Sequence, residues 1–152
     1  MQRDHVSRID FLECLDRISN VFLWVGREMK APDAARLAPA YVRVSGTWAN
    51  TTYFAVSDSP PSAPPPGFNG ILSHQQWRGV IDFSQAVGAQ IVTSFAVSPG
   101  TRDATGVWTP NQARRFLAYT RSIGGTIAVA EFMNEPNLAE MGGAPAGYDA
   151  AG

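Results

Sequence analysis
Residues 130–137, AEFMNEPN, set an amide, a carboxylate and a proline directly behind an apolar run. Ala128, Val129, Ala130 and Phe132 suit a buried strand. Glu135 does not, and Pro136 removes a backbone donor and ends the strand just after it. In parallel α/β folds the side chains at the carboxyl ends of strands line the mouth of the site. A carboxylate there can serve a substrate as general acid or base instead of being trapped in a core. Its neighbour Asn134 can donate to or accept from a sugar hydroxyl through the two ends of its amide. Taken as three letters, NEP also reads as a polar turn. The strand before it and the order of elements around it turn the reading toward a site.

A second group precedes it. In YVRVSG (41–46) the alternation puts Tyr41, Arg43 and Ser45 on one face and Val42 and Val44 on the other. The valines suit a face covered by helices, so Arg43 should point to the opposite, inner side. A guanidinium there needs a carboxylate, and Glu131 is a candidate within this chain. Trp48 and Tyr53, just downstream, could form a stacking wall for a sugar or simply pack a loop. Asn50-Thr51-Thr52 has the form of a glycosylation sequon, which matters only in a secreted eukaryotic protein.

These residues need elements to position them. YVRVSG (41–46), QIVTSFAVS (90–98) and TIAVAEFM (126–133) have strand patterns. Ser73 and Gln76 predict a capping box before QQWRGVIDFSQAV, with Gly88 as its stop. Thr109, Pro110 and Gln112 predict a second box with proline at the first helical position. Ala113, Phe116, Leu117 and Ile123 then mark an apolar face that Gly124-Gly125 ends. The order strand, helix, strand, helix, strand predicts an α/β fold with parallel pairing through right-handed crossovers. Upstream, PDAARLA (32–38) predicts a helix, and HVSRID (5–10) or VFLWV (21–25) the strand before it. Residues 47–72 read as one long connection with a Pro/Ser-rich centre at 57–67. It is either part of the site, since it follows a strand end, or a surface insertion with no role. The chain reads as a single partial domain over 1–152, least defined over 1–20 and closing in a loop over 138–152.

With these segments in place, the chain resembles the glycoside hydrolases whose fourth barrel strand ends in Asn-Glu-Pro. Within that clan it is most similar to family 79, the heparanase and β-glucuronidase family. LAPAYVRVSGTW (37–48), SFAVSPGTRDATGVWTPNQARRFLAYTRSIGG (94–125) and AEFMNEPN (130–137) carry the similarity, which runs from about residue 20 to 137. Their order and spacing fit strands two, three and four of a (β/α)8 TIM barrel, so the resemblance implies an incomplete barrel of roughly strands one to four. It makes Glu135 the catalytic acid/base and Asn134 the partner of the sugar's 2-hydroxyl. Thr47 matches a substrate-contacting threonine, and Asp10 in VSRID matches an acidic residue at the end of strand one that touches the sugar. Arg43 matches an arginine that supports the nucleophile.

A full barrel of this type needs about 250 residues, and a retaining mechanism needs a second carboxylate about 5–5.5 Å from the first. In the clan that nucleophile ends strand seven. Glu140 and Asp149 follow in a loop and no later strand presents either. The expectation is therefore the first half of a retaining glycosidase on β-glucuronides or uronic-acid glycans, inactive alone, with its last strand an apolar edge open to self-association. Two other readings stand beside it: a clan relative acting on neutral β-glycosides, and a non-catalytic carbohydrate-binding half-barrel. A nucleotide-binding domain is disfavoured because no G-x-G-x-x-G or P-loop follows a strand.

Composition bounds the rest. A formal net charge of -1 gives no electrostatic case for nucleic acid or an anionic membrane. The single cysteine, Cys14, excludes an internal disulfide framework, and His5 and His74 are too far apart for metal-ligand spacing, so neither metal nor cofactor is expected. The longest apolar stretch, Val21 to Val25, is far too short to span a bilayer. MQRDHVSRID lacks the apolar core of a signal peptide. The protein is then cytoplasmic or lacks its true N-terminus, whereas the resemblance implies a secreted, periplasmic or lysosome-like parent.

Overall fold
Val42 and Val44, Ile91 and Thr93, and Ile127 are the inward residues of three apolar runs that pair as one sheet. The computed structural model describes residues 40–140 together with 143, 144, 147 and 148. Asp10, Cys14, His5, the strand candidates at 5–10 and 21–25 and the helix candidate at 32–38 lie outside the described residues. Strands β1 (Ala40–Val44), β4 (Ala89–Ser94) and β5 (Ile127–Glu131) form a parallel sheet in the order β1-β4-β5. Each is shorter than the apolar run that predicts it, because the carboxyl ends leave the ladder for other partners. Beyond β4, the Val97 and Ser98 amides donate to the carbonyl of Asn50.

Two helices cover one face. Helix α1 (His74–Val87) opens with both arms of the predicted capping box: Ser73 accepts from the Gln76 amide and the Gln76 side chain accepts from the Ser73 amide. It closes on Gly88 at φ 66°, a left-handed conformation that glycine adopts without a Cβ clash. Helix α2 (Asn111–Ser122) corrects the second prediction. It starts behind Pro110 with no side-chain cap. The Thr109 hydroxyl donates to the Thr101 carbonyl, and the Gln112 side chain accepts from the Phe54 amide at 3.1 Å. Gln112 thus ties the helix to Phe54 in the connection 47–72 instead of to its own first turn.

The connection 47–72 is also more ordered than its composition implies. A 3-10 turn (Ala49–Thr51) leads into β2 (Thr52–Phe54), which pairs in parallel with β3 (Gly70–Leu72). Three-residue strands are too short to show a period, so the run reads as a loop by sequence. The Pro/Ser-rich stretch between them remains irregular.

The core lies between the main sheet and the helices. Val44, Phe54, Trp77, Ile81, Ile91 and Phe116 form its centre. Trp77, fully buried, donates from Nε1 to Thr120 Oγ1 at 2.8 Å, locking α1 to α2. The other face of the sheet carries Tyr41, 64% exposed, and Val129, 49% exposed. A parallel sheet normally buries both faces. Among the described residues, β5 pairs with β4 alone. No described helix is long and apolar enough to cross a membrane.

Replacing Trp77 with phenylalanine removes both ring volume and the donor to Thr120. The change should cost roughly 2–4 kcal/mol in urea unfolding, from cavity formation plus a lost buried hydrogen bond. A loss under about 1 kcal/mol would show that the helix pair does not depend on this contact.

Candidate active site
The register of β1 decides where Arg43 goes. Val44 is buried in the core and Val42 packs against it, so Arg43 rises from the opposite, open face. β1 and β5 flank β4, which separates them by two strand spacings, roughly 10 Å. Arg43 spans that gap. Its Nε donates to Glu131 Oε1 at 3.1 Å and its Nη2 to Glu131 Oε2 at 2.8 Å, a two-point fork. The strand crossed is lined there by the small Ser94, whose Oγ accepts from Ser45 at 2.7 Å. Ser45 Oγ also lies 3.4 Å from Glu131 Oε2.

Glu131 reaches this face through an irregularity. Ile91 pairs with Ile127 but Val92 pairs with Val129, which leaves Ala128 as an extra residue. The bulge lets Ile127 face the core while Val129 and Glu131 share the open face with Val92 and Ser94. The Arg43 hydrogen bond holds the Glu131 carboxyl below its ordinary value, against the opposing effect of partial burial. The same bond raises the guanidinium, and the charge of Glu135 adds to the effect.

The fork also orients an amide. Arg43 Nη2 donates to Asn134 Oδ1 at 2.8 Å, which turns Nδ2 the other way. Nδ2 then donates to Glu135 Oε2 at 3.0 Å and lies 3.3 Å from Thr47 Oγ1. Thr47, in the turn after β1, donates its hydroxyl to the same Glu135 Oε2 at 2.8 Å. Among the described residues, the hydrogen bonds to this carboxylate all fall on Oε2. Asn134 is buried, 6% exposed, whereas Glu135 is exposed. An exposed carboxyl group with one oxygen anchored and the other open can hand a proton to, or take one from, a group outside the protein.

The backbone at Glu135 is unusual. Its φ of 50° and ψ of 63° make it the one non-glycine residue with positive φ among the described residues. That conformation costs a non-glycine residue roughly 1–2 kcal/mol, and Pro136 behind it disfavours the ordinary right-handed alternative. Asn50 holds the preceding peptide units: its Oδ1 accepts from the Asn134 amide at 2.9 Å and its Nδ2 donates to the Asn134 carbonyl at 2.9 Å.

The structure therefore brings Arg43, Thr47, Asn134 and Glu135 into one hydrogen-bonded group, with Glu131 as Arg43's partner. Trp48 packs against the core, and its indole fills the space beside Gly46, where a Cβ would sit 2.8 Å from Nε1. Tyr53 lies edge-on to Phe68 with centroids 5.3 Å apart, and Arg115 stands 5.6 Å over its ring. Among the described residues, neither aromatic side chain hydrogen-bonds Glu135. Asp10 lies outside the described residues. Sequence reasoning missed Ser45 and Ser94 as a small-residue floor, and it took Asn50 for a sequon only. Nothing in its type or spacing marks Asn50 as a clamp, since its partner is 84 residues away. With side chain and backbone fully buried, 0% exposed, Asn50 has no room for a glycan in the folded chain. A small cavity of about 40 Å³ lies beneath Trp48 among Phe54, Trp77 and Phe116, on the helical side of the sheet. It belongs to core packing and does not include Glu135. No protein-family model and no curated protein sequence matches the chain.

Arg43 and Glu131 are 47% and 35% exposed, so solvent screens their charge pair. A double-mutant cycle of Arg43→Met and Glu131→Gln should give a coupling of about 0.5–1 kcal/mol at neutral pH. The folded-state pKa of Glu131 lies below the unfolded value of about 4.3. The stabilisation is thus fully present above that value and is lost as pH falls through the folded one. Coupling that persists at pH 2 would contradict the assignment.

Proposed function
We propose that this chain is the amino-terminal part of a retaining glycoside hydrolase barrel, with Glu135 as general acid/base. Its substrates are β-glucuronides or related uronic-acid glycans. The observation that carries this reading is the convergence of Thr47 and Asn134 on one oxygen of an exposed carboxylate. The two come from the carboxyl ends of two different parallel strands. An acid/base must protonate the leaving oxygen in one step and take a proton from water in the next. Anchoring Oε2 fixes the plane of the carboxyl group while Oε1 stays open for both transfers.

In this reading β1, β4 and β5 occupy the positions of strands two, three and four of a (β/α)8 barrel. The helices form its outer layer, and the open face with Arg43 is its interior. The sheet order agrees, as does the apolar exposure of Tyr41 and Val129, which further strands and their side chains would cover. The nucleophile comes from outside the described residues. Arg43 suits its support: among the described residues its guanidinium bonds come from Nε and Nη2, so Nη1 is open to a second carboxylate. Uronic-acid specificity rests on the family resemblance alone.

The test is a leaving-group series on the enzyme that contains this segment. Glu135→Ala should slow an alkyl β-glucuronide by about 10²–10⁴, because its leaving oxygen must be protonated in the transition state. An activated dinitrophenyl substrate should suffer far less. Equal losses on both would assign Glu135 another role.

A further inference from the structure
We infer that Asn50 is a positioning residue that sets the acid/base: its side chain acts as the ladder partner that the end of β5 lacks. The inference rests on the acid/base reading of Glu135 for its catalytic consequence, but not for its structural one. β5 leaves the sheet after Glu131, and β4 turns away after Ser94. Among the described residues, the peptide groups of Asn134 therefore have no neighbouring strand. A primary amide presents an N–H donor and a C=O acceptor side by side in one plane. That matches the N–H and C=O of one residue in the way a residue on an antiparallel neighbour does. Asn50 makes both contacts, each at 2.9 Å, from a fully buried position.

Asn50 is itself fixed from a third strand end. Its carbonyl accepts from the Val97 amide at 2.9 Å and the Ser98 amide at 3.1 Å. One residue in the turn after β1 thus joins the carboxyl ends of β1, β4 and β5. The residue it grips stands directly before the strained φ of Glu135. Without the grip, residues 134 and 135 can relax toward an unstrained backbone, which carries the Glu135 carboxyl away from Thr47. Aspartate has the right shape but, ionised, offers no donor to the Asn134 carbonyl. Alanine offers neither group.

Two measurements test this. In the 152-residue chain, amide hydrogen exchange should show Asn134 protected. Asn50→Ala should reduce that protection by about tenfold or more, while the β4 amides of Ile91 and Thr93 keep theirs. In the enzyme containing this segment, Asn50→Ala and the near-isosteric Asn50→Asp should both steepen the dependence of rate on leaving-group pKa across aryl β-glucuronides. They should do so in the direction of Glu135→Gln. A merely structural defect lowers every substrate alike and leaves the slope unchanged. Unaltered protection of Asn134 in both variants overturns the inference. So does an unchanged slope when Glu135→Gln steepens it. If Asn50→Ala unfolds the chain, protection collapses in β4 as well, and Asn50→Asp decides by the same two readouts. If Glu135→Gln itself leaves the slope unchanged, the acid/base reading fails, and the exchange data alone decide whether Asn50 holds residue 134.

Discussion

On the open face of a parallel sheet, Arg43 pairs with a carboxylate two strands away. That single contact organises the site. The strand between presents the small Ser94 in register with Glu131 and bonded to Ser45. The far strand must present Glu131 on the same face, which the extra residue at Ala128 achieves. Once the fork is made, its second nitrogen captures Asn134 Oδ1 and thereby fixes which end of that amide faces Glu135. The orientation of the exposed carboxyl follows from a charge pair at the other end of the group.

The two faces of the sheet divide the labour. On the helical side, Ile91, Trp77 and Phe116 supply burial, and the geometry there is set by close packing. On the open side, hydrogen bonds and one ion pair set the geometry, with solvent still present. Stability and chemistry are thus largely separable. A change at Trp77 acts on unfolding, whereas a change at Thr47 acts on where a carboxylate oxygen points. The strained backbone of Glu135 is the place where the two meet, because it is held by the buried amide of Asn50 and read out by an exposed side chain.

Much of this was legible in local patterns. The alternation of Val42, Arg43 and Val44 correctly assigns the faces of β1, and Ser73 with Gln76 correctly opens α1. Both depend on residues within a few positions of one another. What was not legible depends on partners far along the chain. Gln112 has the spacing of a capping residue yet bonds Phe54, 58 residues back. β2 and β3 are too short to declare a period, and each is a strand only because the other is present. The bulge at Ala128 leaves no mark in a run of small apolar residues. Asn50 looks like a sequon because its neighbours Thr51 and Thr52 are threonines, whereas its role is set by Asn134.

In the proposed reading, Glu135, anchored through Oε2 by Thr47 and Asn134, is the acid/base of a retaining glycosidase. Azide rescue tests it most directly, because the stereochemistry of the product reports which step the missing carboxylate served. With Glu135→Ala in the enzyme containing this segment, azide should intercept the glycosyl-enzyme and give a β-glycosyl azide from an activated aryl β-glucuronide. An α-glycosyl azide would make Glu135 the nucleophile, and no azide product with unchanged turnover would remove it from the chemistry.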